Sequence, residues 1–261
     1  MTRRPAFVEG IPTTLAELSD TLPVRVAHFL VILAVMVVTT LVAASAIIVL
    51  GGLGATRAAF ATTRLWCRML LGTTGVTLRI HGLGNLPDDS ALVVISNHTS
   101  HYDGPALLLA LPLDLHIVIK QELVRIPLWG QAAVALGFIP IDRGNSEAAR
   151  RRMARAVETV RRGRTVLVFA EGTRSPHGSL QRFKKGGFHL AVDARVPIVP
   201  VTINGSHAIL PKGSWLPRPG TMEIHVGEPI PTAGLGKDDV DRLLEAVRTT
   251  IAASYRGPID P

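Results

Sequence analysis

The sequence predicts an α/β protein: a largely parallel β-sheet flanked by helices, preceded by an N-terminal membrane-associated helical hairpin. Three observations predict it. Short β-branched apolar runs alternate with helical patterns, which favours crossover connections and parallel pairing. Several of these runs pass into polar or charged residues on their carboxyl side. Ahead of them lies one long stretch with almost no charge.

The uncharged stretch comes after a polar, mixed segment of residues 1–21, where Thr13-Thr14 with Glu17 forms a weak capping pattern. From Val26 to Leu53 only His28 can carry charge. As one helix this stretch reaches ~42 Å, against a hydrocarbon core of ~30 Å. It is too long, and starts too late, for a cleaved signal peptide. Gly51-Gly52-Leu53-Gly54 ends it, and Ala55 to Leu71 reads as a second helix. Arg57, Ala61, Arg64 and Arg68 share one face of it, and Phe60, Leu65, Trp66 and Met69 supply apolar surface. That pattern predicts an interfacial helix. Either the first helix crosses the bilayer once, or the pair dips into one leaflet as a monotopic hairpin. The basic second helix puts the chain's bulk on the cytoplasmic side in both cases. Residues 1–72 are therefore expected to form the membrane segment and 73–261 the globular domain.

Within the globular part the expected strands are Val76–His81, Ala91–Ser96, Leu115–Ile119, Phe138–Ile141, Thr165–Phe169, Ile198–Ile203 and Met222–Val226. Helical patterns fall near 104–111, 126–136, 145–162, 184–193 and 238–254. Arg150, Arg151, Arg152, Arg155, Arg161 and Arg162 load one of these helices, and read as a solvated face. With 28 Lys plus Arg against 20 Asp plus Glu, the net charge is +8. That balance suits phosphate-bearing ligands or an anionic membrane surface. Aromatic content of 5% argues against a stacking platform for nucleic acid, so no nucleic-acid partner is expected. A single cysteine, Cys67, excludes an intrachain disulfide and a cysteine-rich metal site.

The chemistry concentrates at Ser96-Asn97-His98-Thr99-Ser100-His101-Tyr102-Asp103-Gly104-Pro105. His98 leaves the end of an expected strand. Asp103 sits near an N-cap, with Pro105 in the first turn of a helix. Were 98–103 helical throughout, residues five apart would lie about 140° apart around the axis and would not meet. A strand–turn–helix corner can fold them together. A carboxylate on one imidazole nitrogen fixes the tautomer and leaves the other nitrogen as a base. No Ser or Cys nucleophile is then needed if the substrate brings its own hydroxyl. A metal held by His98, His101 and Asp103 is not expected, because no further ligand cluster with metal-site spacing accompanies them.

In open parallel sheets ligands bind beyond the carboxyl ends of the strands. Here those ends lead to His98 and Asp103, to Lys120 and Glu122, to Asp142-Arg143, and to Glu171-Gly172-Thr173-Arg174. Arg143 and Arg174 can grip a phosphate through paired donors, with Lys120 as a point charge. Gly172 permits the tight turn that lets Glu171 and Arg174 point inward. Phe183-Lys184-Lys185-Gly186-Gly187 brings further cations to a helix start. Histidines 28, 81, 101, 116, 177, 189, 207 and 225 lack such a setting and read as structural.

Four blocks together carry a resemblance. Asn97-His98-Thr99-Ser100-His101-Tyr102-Asp103 resembles the first signature of the glycerolipid acyltransferase family, a His and an Asp separated by four residues. Gly137-Phe138-Ile139-Pro140-Ile141-Asp142-Arg143 resembles the second, with Pro140 a small departure. Phe169-Ala170-Glu171-Gly172-Thr173-Arg174 resembles the third and Val196-Pro197-Ile198-Val199-Pro200-Val201 the fourth. The resemblance covers about residues 75–230 and implies the glycerolipid acyltransferase fold, with 73–261 as the catalytic domain.

It also implies a reaction. An acyl chain passes from acyl-CoA or acyl carrier protein, as co-substrate, to the free hydroxyl of 1-acyl-sn-glycerol-3-phosphate, giving phosphatidic acid, with no other cofactor and no metal. His98 is then the general base and Asp103 its partner. Lys120, Arg143, Glu171, Gly172, Thr173 and Arg174 surround the acceptor and its phosphate, and backbone N–H groups of the 98–104 turn are candidate oxyanion donors. For Glu171 a structural role is the alternative. The implied partners are a lysophospholipid, an acyl thioester and the bilayer, with the enzyme on the cell membrane and its catalytic domain facing the cytoplasm. Another lysolipid or glycolipid acceptor, or hydrolysis of a lipid or thioester, is the alternative chemistry.

Overall fold

The computed structural model describes residues 22–87, 91–142, 144 and 146–258. Two compact units divide the chain, Met1–Val38 and Thr39–Pro261. The described part of the first is the opening of α1 (Leu22–Gly52). Within α1, Leu30–Gly52 is long and apolar enough to cross a membrane, by length and composition. Its 23 residues reach ~35 Å. Leu30, Val31, Val38, Val42 and Val49 are exposed along it, a run of apolar surface that water does not favour.

In the second unit α1 ends, and the chain continues through α2 (Thr56–Thr73), β1 (Val76–His81), β2 (Val93–Ser96), α3 (Asp103–Ala110), β3 (Leu115–Lys120) and α4 (Trp129–Ala135). There follow β4 (Ile139–Ile141), α5 (Ser146–Arg161), β5 (Thr165–Phe169), α6 (Gly186–Ala194) and β6 (Ile198–Asn204). The described elements close with α7 (Ser206–Ile209), β7 (Gly220–Val226) and α8 (Val240–Ser254).

The seven strands form one sheet in the order β1-β7-β6-β2-β5-β3-β4. From β6 to β4 every pairing is parallel. β7 runs antiparallel to β6, and β1 pairs parallel with β7. The sheet is thus largely parallel, and the expected strands appear with their ends moved by no more than two residues. β2 and β5 are buried at every position, as central parallel strands covered on both faces must be.

The helix expected over 126–136 is shorter. A 3-10 turn covers Gln121–Arg125, and α4 begins only at Trp129. Pro127 holds Ile126 extended, and Leu128 takes φ 60°, so the α-helix cannot start earlier.

One face of the sheet carries α5, α6 and α8. Met153, Ala156, Val157 and Val160 of α5, Phe188 and Leu190 of α6, and Leu243, Val247 and Ile251 of α8 pack on Val93, Ile95, Val166, Val168 and Ile198. The arginines of α5 that are described lie outside this core. Arg151, and Arg162 just past the helix end, make exposed ion pairs with Glu147 and Glu158.

α2 and α3 pack together and against β1 on the other face. Ala59, Phe60, Thr63, Cys67, Leu70 and Leu71 are the buried stripe of α2, so the helix expected to be interfacial spends this face on the protein. Its exposed face keeps Arg57, Leu65, Arg68 and Met69, while Arg64 reaches Asp114 at 2.7 Å. Trp66 Nε1 donates to Thr40 Oγ1 at 3.1 Å, tying the end of α1 to α2.

Candidate active site

The site grows from the end of β2, a central strand paired with β5 on one side and β6 on the other. Asn97, fully buried, leaves the strand first and clamps it to β6. Its Nδ2 donates to the Ile203 carbonyl at 2.9 Å, and its Oδ1 accepts from the Ile203 amide at 2.8 Å. Asn97 opens the signature block, and its role is to anchor the strand end. The two-way bond fixes the direction in which the chain leaves the sheet.

His98 follows. Its Nδ1 lies 2.8 Å from Asp103 Oδ2, so the two side chains meet across the corner. Asp103 is not an N-cap. Tyr102 holds that position, and Asp103 is the first residue of α3. From there its Oδ2 also accepts the amides of Thr99 at 2.7 Å and Ser100 at 2.8 Å. One carboxylate oxygen thus shapes the turn and orients the imidazole. Asp103 is completely buried, and the His98 side chain is 14% exposed. An acceptor on Nδ1 selects the tautomer with its proton there and leaves Nε2 a lone pair. The Phe169 ring stacks on the imidazole at 4.0 Å and 15°, which holds its plane.

Glu171 is buried and reaches back to this corner. Its Oε1 accepts the His98 amide at 2.8 Å, and its Oε2 accepts the Gln181 amide at 3.4 Å. The His98 carbonyl in turn accepts from the Ser175 amide at 2.8 Å. The strand register explains the meeting. Ser96 pairs with Phe169, so the residues two further along each chain, 98 and 171, stand at the same height.

Directly after Glu171, Gly172 takes φ +70°, and a Cβ there would lie 2.9 Å from Lys184 Cδ. Only glycine combines that backbone with that close approach. Thr173 is exposed. Arg174 has a buried Nη1 without a hydrogen-bond partner, and Asp103 Oδ1 is in the same condition. Desolvation lowers the Arg174 guanidinium from its usual range, opposed by the Asp103 charge. His101 is pushed down to about 4 by desolvation and then by the charges of Arg174 and His98. These mutual influences gather His98, His101, Asp103 and Arg174 in one neighbourhood.

Lys120 stands apart from that group. It ends β3, the strand beside β5, is half exposed, and pairs with Glu122 at 3.0 Å. Arg143 lies outside the described residues; its neighbour Asp142 accepts the Gly144 amide at 2.9 Å. Several of the expected oxyanion donors in the 98–104 turn are already engaged. The amides of His98, Thr99 and Ser100 go to Glu171 and Asp103, and that of Tyr102 to Ser100 Oγ at 3.2 Å. These four are committed within the protein.

Comparison with known proteins bears on this geometry. The family model described as Acyltransferase matches residues 77–204, which contain every site residue discussed above. A 1-acyl-sn-glycerol-3-phosphate acyltransferase of Pseudomonas aeruginosa is 34% identical over 66% of this chain and 67% of its own length. The chain belongs to the acyltransferase family.

The human 1-acyl-sn-glycerol-3-phosphate acyltransferase alpha is also 34% identical to this acyltransferase, over 70% of this chain and 65% of its own length. The match therefore spans about two thirds of these curated relatives. Among solved structures, the 1-acyl-sn-glycerophosphate (LPA) acyltransferase PlsC from Thermotoga maritima superposes with a TM-score of 0.75 at 25% identity. It covers 88% of this chain and 96% of that one. The sheet of this acyltransferase, with its antiparallel β7 beside five parallel strands, is the PlsC fold.

Proposed function

We propose that this acyltransferase moves a fatty acyl chain from acyl-CoA, or from acyl carrier protein, to the free hydroxyl of 1-acyl-sn-glycerol-3-phosphate, giving phosphatidic acid. The observation that carries the reading is His98 held by Asp103 at 2.8 Å, in the neighbourhood of Arg174, whose Nη1 is buried without a partner. The relatives named for this reaction supply the substrate class.

In this mechanism His98 Nε2 removes the proton of the acceptor hydroxyl as the oxygen attacks the thioester carbonyl. The imidazolium that forms is stabilised by the Asp103 carboxylate. The C–S bond then breaks, and the proton passes from His98 to the departing thiolate. Base assistance of this kind is worth ~10²–10⁴ in rate, about 3–5 kcal/mol. No acyl-enzyme is formed, so no enzyme nucleophile is required. Arg174 holds the acceptor phosphate, and Lys120 and Arg143 are the further cations proposed for it. Glu171 acts on His98 through the backbone, and not on substrate.

The apolar α1 keeps the enzyme on the membrane, where the acceptor enters sideways without its chain crossing water. The catalytic unit faces the cytoplasm, the source of acyl thioesters.

The test is thiol release from acyl-CoA, measured with and without 1-acyl-glycerol-3-phosphate, in the wild type and in His98→Ala. Acceptor-dependent release that falls at least 100-fold in His98→Ala supports the reading. Release independent of acceptor would identify a hydrolase. Near wild-type release from His98→Ala would remove the base.

A further inference from the structure

A second cluster of ligating side chains lies away from the catalytic corner. His81 closes β1 and His225 stands opposite it on β7, as partners in the strand register. Glu223 precedes His225 by two residues and so shares its face of the sheet. The two imidazole rings stack at 4.6 Å and 16°. One ligand atom from each of the three residues lies within 4.8 Å of the other two.

Neither histidine is explained by packing. His81 is exposed at the sheet edge, yet its ring is held against a second ring in place of solvent. His225 Nε2 is buried and has no hydrogen-bond partner; Glu223 Oε2 is 3.6 Å away, beyond hydrogen-bond reach. Glu223 is held in place by Arg256, whose Nη1 lies 2.8 Å from Oε2. Beside the cluster is a cavity of about 220 Å³ lined by Pro200 and Thr202 of β6 and by Thr250 and Ser254 of α8. It offers room for a coordinated water.

We propose that His81, His225 and Glu223 form a binding site for a divalent transition metal, of the zinc, nickel or copper type. Two imidazoles and one carboxylate suit borderline cations and not calcium or magnesium, which take all-oxygen sets. Imidazole lone pairs lie in the ring planes, so two nitrogens at ~2.0–2.1 Å from one metal require these nearly parallel rings to unstack and rotate toward a common point. Glu223 then exchanges Arg256 for the metal. The site joins β1, the outermost strand, to β7, two strands from β2 and on the face covered by α8. α3, which carries Asp103, packs on the opposite face, so the metal takes no part in the acyl-transfer chemistry proposed above.

The experiment uses the full chain without a histidine tag, in detergent and chelator-stripped buffer. Isothermal titration with ZnCl₂ at pH 7.5 should give one bound equivalent and a melting midpoint that rises with Zn²⁺ and returns with EDTA. His81→Asn and His225→Asn should each lower affinity at least tenfold. Arg256→Ala should raise it, by freeing the carboxylate. His81 is exposed on an edge strand, so His81→Asn leaves the fold intact and circular dichroism checks it. No Zn²⁺ binding by the wild type, or undiminished binding in the doubly substituted His81→Asn/His225→Asn chain, overturns the proposal.

Discussion

Replacing Asp103 by Asn isolates the charge of the catalytic pair from its shape. Oδ2 accepts three N–H groups, from His98 Nδ1, Thr99 and Ser100, at 2.8, 2.7 and 2.8 Å. An Asn carbonyl can stand where Oδ2 stood and keep all three contacts as neutral hydrogen bonds. A bond to a charged group contributes ~1.5–3 kcal/mol and a neutral one ~0.5–1.5, so the turn loses about 3–4 kcal/mol of stability. In the reaction the loss is different in kind, because the carboxylate matters most when His98 carries the extra proton. If most of the base assistance depends on that charge, kcat falls about 10³-fold, which is ~4 kcal/mol, while both KM values stay within a few-fold. The assay is acceptor-dependent thiol release at saturating substrates, with a thermal melt beside it. A shift of ~2–4 °C per kcal/mol places the expected drop in melting midpoint at ~6–16 °C. Asp103→Ala removes the acceptor altogether, strands two buried amides and should melt lower still. An Asp103→Asn enzyme with kcat within tenfold of wild type would refute the claim that this carboxylate stabilises the protonated base.

Four other outcomes follow from the structure. Arg174→Ala should raise the acceptor KM about 10–100-fold, the loss of one charged contact of ~1.5–3 kcal/mol, with the donor KM unchanged. Because partial desolvation and then the charges of Arg174 and His98 hold His101 down at about 4, stability owed to its neutral form is intact above its ordinary 6.5 and is lost as pH falls toward 4. Arg174→Ala should move the His101 titration upward by NMR and shrink that acid loss. Glu171→Gln keeps an acceptor for the His98 amide but turns an amide group toward the Gln181 N–H. We expect kcat to fall and acceptor KM to hold, whereas a substrate contact would raise acceptor KM. Cys67 is fully buried and its thiol is pushed up to about 12 by desolvation, with Arg64 opposing. It should resist maleimide in the native protein at neutral pH and react on unfolding, and stability should decline as pH rises from 9 toward 12.

What the sequence disclosed, and what it withheld, has one cause. Features set by neighbours in the chain were readable. The apolar runs of β2 and β5, the glycine turn at Gly172 and the strand–turn–helix corner that joins His98 to Asp103 all lie within short windows. Features set by register were not. Glu171 meets the His98 amide only because Ser96 pairs with Phe169, a relation between residues 73 apart in sequence. The same pairing stacks Phe169 on the imidazole, and Asn97 finds Ile203 across the β2–β6 pairing. The buried face of α2 shows the limit from another side. A stripe of Ala59, Phe60, Cys67 and Leu71 beside a stripe of arginines is the same pattern whether the apolar side meets lipid or protein, and only the presence of α3 and β1 decides. His81 and His225 are the extreme case. Each looked like an isolated structural histidine, and no local window could pair residues of an edge strand and of a β7 that reverses direction. Chemistry that lies along one strand–turn–helix is therefore legible residue by residue, while chemistry assembled across strands needs the register.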